Sequence, residues 1–193
     1  MKGTLHHEGS RHTLRFVRRL AHAPEQVWRA LTENGELAHW FPAAIEGERT
    51  AGAALRFVFF APGETGDTGS SSATGGRSAD VEAAGRAASP IVEGDMRVYD
   101  PPRTLEFTWG GEVLRWELEA HGGGTVLVFT HTFADESKAA RDASGWEVCL
   151  AALARSLAGE PAEPFTMARF DALFDSYAKR FGARASARRA ADV

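Results

Sequence analysis

Apolar and polar positions alternate along much of this chain, and the period switches from two to about 3.6 at a few definite places. In TLRFVRRL (13–20), Leu14, Phe16, Arg18 and Leu20 share one face, and Thr13, Arg15, Val17 and Arg19 the other. That predicts a strand carrying one arginine among its apolar set. In HAPEQVWRALTENGELAHWFP (22–42), Val27, Trp28 and Leu31 recur at helical spacing behind Pro24, a residue suited to a first helical turn. Asn34-Gly35 stops that helix, and ELAHWF reads as one more short turn before Pro42. AALRFVFF (53–60) predicts a second strand. Residues 61–90 are rich in Gly, Ser and Ala with scarcely a large apolar side chain. They predict a disordered surface excursion, either a dispensable insertion or a mobile lid.

Four further alternating runs follow: IVEGDMRVYD (91–100), RTLEFTW (103–109), VLRWELEA (113–120) and TVLVFTHTF (125–133). Their short connectors suit antiparallel hairpins. In the last run Leu127, Phe129, His131 and Phe133 face one way, as do Leu105, Phe107 and Trp109, or Leu114, Trp116 and Leu118, in their own strands. Each strand therefore has an apolar and a solvated face. Trp146, Cys149, Leu150, Leu153 and Leu157 then form a helical stripe. Ser144 and Glu147 fit a capping box at its start, and Gly159 ends it. FTMARFDALFDSYAKRFG (165–182) predicts a second amphipathic helix, either docked on the domain or carrying a dimer contact.

The expected architecture is α+β: a curved antiparallel sheet of six to seven strands wrapped around a long C-terminal helix. Two short helices follow the first strand, and a tail helix comes last. Residues 1–11 are expected to be a flexible arm, 12–159 the domain, and 160–193 a tail holding a helix over 165–181.

Composition narrows the function classes. At 193 residues the chain suits one domain, and 44% hydrophobic with 25% charged residues is ordinary for a globular protein. A formal charge of -4 argues against a nucleic-acid partner. A single cysteine, Cys149, excludes an internal disulfide and multi-cysteine zinc patterns. Neither a membrane-length apolar run nor a secretory apolar core is visible, so a cytoplasmic location is expected. No phosphate loop, serine-hydrolase elbow or His-Glu-x-x-His motif occurs, and nothing calls for a cofactor.

HAPEQVWRALTENGELAHWFP after a first strand, YDPPRTLEFTWG mid-chain, and TVLVFTHTF with ARDASGWEVCLAALARSLAG near the end together resemble the SRPBCC superfamily. Within it they resemble the branch named after the Hsp-ninety ATPase activator. The resemblance covers residues 12–159 and the tail helix that many bacterial members carry. It implies a helix-grip fold with a cavity between sheet and C-terminal helix. Phe57, Phe59, Phe107, Trp109, Trp116, Phe129, His131 and Phe133 would line that cavity, Trp146 and Leu150 would roof it, and Trp40 and Phe41 would close one end. Relatives bind hydrophobic ligands, cyclise polyketides, carry lipids or assist a chaperone. The long insertion at 61–90 departs from the shorter hairpin expected of the family.

Each candidate also has a plainer reading. Large aromatics at these spacings are packing residues in most proteins. His131 reads as a pocket base or as a hydrogen-bonded core histidine. Arg18 would anchor an anionic headgroup, pair with a buried carboxylate such as Glu117 or Asp95, or lie at a solvated strand end. Asp135, Arg141 and Asp142 either gate the cavity mouth or belong to a solvated loop. His6, His7 and His12 hint at a metal but lie in the expected flexible arm. Cys149 reads as a small buried hydrophobe. The leading expectation is a START-like protein that holds a small hydrophobic or amphipathic ligand, with Arg18 and His131 giving selectivity. The second is an interaction module with a chaperone partner or self-association through the tail helix. A cyclase or hydrolase using His131 is the third.

Overall fold

The computed structural model describes residues 2–59, 91–161 and 163–187. The segment 61–90, read above as insertion or lid, and the last residues of the tail lie outside them. Eight antiparallel strands form one sheet: β1 (Thr4–Glu8), β2 (Arg11–Leu20), β3 (Ala43–Glu46), β4 (Ala54–Phe59), β5 (Ile91–Asp100), β6 (Thr104–Trp109), β7 (Glu112–His121) and β8 (Gly124–Phe133). Their spatial order is β1-β2-β8-β7-β6-β5-β4-β3. Because β2 pairs with β8, the early and late parts of the chain meet mid-sheet, and Phe16 lies opposite Phe129. Helices α1 (Pro24–Thr32) and α2 (Asn34–Leu37) connect β2 to β3. The long helix α3 (Ala139–Leu157) follows β8, and α4 (Met167–Phe181) packs on α3 with Phe174 and Tyr177 buried.

The helix-grip architecture is as expected, with eight strands instead of six or seven. The two additional strands are edges. β1 occupies the expected flexible arm: Glu8-Gly9-Ser10-Arg11 makes a tight hairpin, with Gly9 at φ 58°, which registers His7 opposite His12. Its polar sequence hid it, since an edge strand is held by its backbone ladder and needs no apolar face. β3 is only four residues long, too short for alternation to be seen.

The long helix also begins earlier than Ser144. A 3-10 turn over Glu136–Lys138, capped by the Asp135 side chain accepting from the Ser137 amide at 3.0 Å, leads directly into α3. Ser144 lies buried in the second turn and donates to the Ala140 carbonyl at 2.7 Å. The strong helix formers Ala139 and Ala140 extend the helix backwards past the expected cap.

Candidate functional site

A row of rings crosses the concave face of the sheet. Phe16 and Phe129 lie 5.9 Å apart between centroids, Phe129 and Trp116 4.8 Å, Trp116 and Phe107 5.0 Å, and Phe107 and Phe57 5.2 Å. From α3, Trp146 meets Phe129 edge to face at 4.6 Å. Phe41, delivered by the turn after α2, lies 6.0 Å from Trp146, 6.4 Å from Trp116 and 6.5 Å from Phe107. These separations are those of packed aromatic cores. Trp40, Phe41, Phe57, Phe107, Trp116, Phe129, Phe133 and Leu150 are each at most 5% exposed. These eight candidates therefore pack into the core, and Phe41 fills space that the resemblance assigned to a cavity.

The packing stops at the β6–β7 end of the sheet. There a cleft of about 550 Å³ opens between the sheet, the first half of α3 and α4. Four of the expected site residues line it: Phe59, Trp109, His131 and Trp146. Pro42, Cys149 and Phe170 complete an apolar wall, and Glu112, Lys138, Arg141 and Asp142 a polar rim. Gly145 lies on the cleft face of α3, and a Cβ built there meets nothing within 4 Å. Burial pushes the Cys149 thiol up to about 12, so it stays protonated and contributes apolar surface.

The rim is a continuous chain of hydrogen bonds and ion pairs. Gly110 and Gly111 both adopt positive φ, 55° and 88°, and this two-residue turn places Glu112 directly across from Trp109. Glu112 Oε2 lies 2.6 Å from His131 Nε2, and its other oxygen accepts from Lys138. Lys138 Nζ also lies 2.9 Å from Asp142 Oδ2, and Arg141 Nε lies 3.4 Å from Asp142 Oδ1. The Trp146 indole donates to His131 Nδ1 at 3.0 Å. An indole nitrogen only donates, so Nδ1 must be the accepting nitrogen and Nε2 carries the proton given to Glu112. His131 thus has both ring nitrogens engaged, which fixes the orientation of the ring. Two carboxylates and two cations leave the rim without net charge.

Burial alone would raise the Glu112 carboxyl. Hydrogen bonds from His131 and Lys138, reinforced by electrostatic attraction to both, outweigh it and hold Glu112 below the usual carboxylate range. A group depressed on folding adds stability that is complete above its unfolded pKa and lost as pH falls through the folded value. Wild-type protein should therefore lose urea stability below about pH 4 more steeply than Glu112→Gln, a difference read from urea midpoints against pH.

Glu112, His131 and Asp142 bring three donor atoms within 4.8 Å of one another, a geometry that suits a metal. The Lys138 ammonium bridges both carboxylates, so a cation already serves them.

Arg18 lies away from the cleft. Its guanidinium pairs with Glu147 at 2.8 Å, with side chains 15% and 21% exposed, and not with Glu117 or Asp95. Glu117 pairs instead with Arg115. Tyr177 of α4 donates to the second Glu147 oxygen at 2.6 Å and accepts from the Gly3 amide at 2.8 Å. Gly3 is required for this approach, because a Cβ there would lie 2.4 Å from the Phe16 ring. Burial and the hydrogen bond to Glu147 raise the Tyr177 hydroxyl, so it remains a donor. Sequence reasoning missed Glu112, Lys138, Gly145 and Phe170 as cleft residues.

A sequence profile described as "Activator of Hsp90 ATPase homolog 1-like protein" matches residues 21–158. No curated protein matches the chain. Among solved structures, the conserved protein of unknown function EF2215 from Enterococcus faecalis aligns at 19% identity and TM-score 0.67, covering 93% of this chain and 90% of that one. The protein encoded by gene BPP1335 of Bordetella parapertussis aligns at 26% identity and TM-score 0.66 over 93% and 91%. CalU16 from Micromonospora echinospora aligns at 18% identity and TM-score 0.63 over 93% and 97%.

Proposed function

The chain belongs to the Activator of Hsp90 ATPase homolog 1-like family, and from that premise we propose that it is a START-like cytoplasmic protein holding a small amphipathic molecule in the cleft beside α3. The observation that carries this reading is the abrupt change in packing. A dense aromatic core ends at an open cleft with an apolar wall on one side and a hydrogen-bonded polar rim on the other. Ligand pockets combine apolar surface with a few fixed polar groups in this way, at volumes of about 300–1,000 Å³. The ligand body would lie on Trp109, Trp146 and Phe170. Its polar end would meet Arg141, whose side chain is 32% exposed. His131 offers no free lone pair for a substrate proton while Trp146 donates to it, which favours binding over general-base chemistry.

Titration with the fluorescent probe anilinonaphthalene sulfonate tests the reading. Gly145→Phe projects a ring into the cleft without touching the core, and affinity should fall at least about tenfold, a loss of roughly 1.4 kcal/mol. Gly145→Ala should keep binding and stabilise the helix by about 0.5–1 kcal/mol. Equal affinity in wild type and Gly145→Phe would remove the cleft as the binding place.

A second reading, action on a chaperone ATPase in keeping with the family's name, rests on the approach to α4. Phe165 and Met167 are 59% and 58% exposed, large apolar groups offered to solvent. Under that reading Phe165→Ser with Met167→Ser abolishes chaperone co-purification while Gly145→Phe does not. The opposite pattern favours the cleft.

A further inference from the structure

Histidines of the N-terminal hairpin, unpromising while residues 1–11 are taken as a flexible arm, acquire a fixed geometry once β1 is part of the sheet. His7 and His12 are direct cross-strand partners, so their side chains emerge on the same face. That is the concave face, since His12 precedes the buried Leu14 and Phe16 at strand period and is itself only 9% exposed. The two Nδ1 atoms point at each other, 2.9 Å apart. The 3-10 turn before α3 passes over this corner and adds Glu136, and one donor atom from each of the three residues lies within 4.8 Å of the others.

We propose that His7, His12 and Glu136 form a site for a zinc-class divalent cation. Two imidazoles and one carboxylate are a donor set that zinc favours and that magnesium or calcium, which require mainly oxygen ligands, do not. Tetrahedral zinc with bonds of about 2.0–2.1 Å separates two ligand nitrogens by roughly 3.3 Å. The imidazoles therefore need to part by roughly 0.4 Å, within the freedom of the exposed His7 side chain. In a head-to-head pair of neutral imidazoles one Nδ1–H donates to the other Nδ1; cation binding shifts that proton to Nε2 of its own ring, through solvent, and leaves both Nδ1 lone pairs for the metal. The fourth position faces solvent on the His7 side and takes water. Since the three ligands come from β1, β2 and the turn that carries Lys138, the ion would brace the hairpin against one rim of the cleft.

Tag-free, full-length protein stripped with a chelator and titrated calorimetrically with zinc chloride alone tests the site. One ion per chain is expected. His7→Gln and Glu136→Gln should each weaken binding at least about tenfold, and together abolish it. His6→Gln, whose ring contacts Thr4 instead, should leave it unchanged. His6 and His7 are exposed and Glu136 is half-buried, and circular dichroism checks that each variant is folded. Amide exchange at Ser137 and Lys138 should slow when zinc is added. Absence of binding, binding that survives the double variant, or binding lost in Asp142→Asn overturns the site. Unchanged exchange at Ser137 and Lys138 overturns the brace.

Discussion

Phe41→Ala is expected to destabilise the protein by about 3–5 kcal/mol, the range for removing a buried phenyl ring. Phe41 is 3% exposed and touches rings from β6, β7 and α3, Trp109 among them at 5.5 Å. None of those strand rings can follow it into the void, because each is fixed by its own strand register and neighbours. The void would join the existing cleft, whose wall includes Trp109 and Trp146. It would also border Trp116, whose buried indole N–H has no hydrogen-bond partner among the described residues. A water entering there would satisfy that donor and place the cost near the lower end of the range. The variant should therefore unfold at lower urea and bind a larger apolar probe than wild type does. A loss below about 1 kcal/mol would mean that Phe41 is not the plug between sheet and helix.

Glu147→Ala should cost roughly 2–3 kcal/mol. Removing one partner of a fully buried ion pair costs about 3–5 kcal/mol, and the partial exposure of Arg18 and Glu147 reduces that figure. The loss would be unevenly spread. Glu147 is the carboxylate through which β2, α3 and α4 are joined, by Arg18 on one oxygen and Tyr177 on the other. Hydrogen exchange should rise first in α4 and around Gly3, while the β7–β8 pair remains protected. Tyr177→Phe, which removes the hydroxyl shared by Glu147 and Gly3, should show the same pattern at about 1–2 kcal/mol. Uniform acceleration across the sheet would contradict this division.

The strands that bury one face were legible in the sequence because their alternation records that burial directly. β2, β6, β7 and β8 carry Leu14, Phe107, Trp116 and Phe129 inward, as the period of two requires. Pattern could not separate residues that fill space from residues that border it. Phe57 and Phe59 sit at alternate positions of β4, yet the first is fully buried and the second lines the cleft. Phe57 meets both Phe107 and Trp109 while Phe59 meets Trp109 at the cleft, and such cross-strand neighbours leave no local period.

The polar rim was hidden for another reason. Lys138, Arg141, Asp142, Gly145, Trp146 and Cys149 lie at spacings of three and four, one face of a helix continued back through its 3-10 turn. With the helix start placed at Ser144, Arg141 and Asp142 read as gating the cavity mouth or as part of a solvated loop, and their alignment with Lys138 and Trp146 disappears. The boundary, not the residues, was misread, and helix boundaries are where local signals are weakest. Glu112 was visible only as the end of a glycine turn. Its role depends on the β7–β8 register, which sets it near His131 through pairing that no short-range pattern contains.

Under the proposed function, a ligand enters the rim cleft and does not enter the sheet–helix interior. The five tryptophans report on it individually through their indole N–H signals: Trp109 and Trp146 line the cleft, while Trp28, Trp40 and Trp116 belong to the buried core. In a two-dimensional NMR titration with anilinonaphthalene sulfonate, the Trp109 and Trp146 signals should move together and saturate while that of Trp116 stays in place. A Trp116 shift as large as theirs, or no movement of Trp109 and Trp146 at saturating probe, would contradict the account.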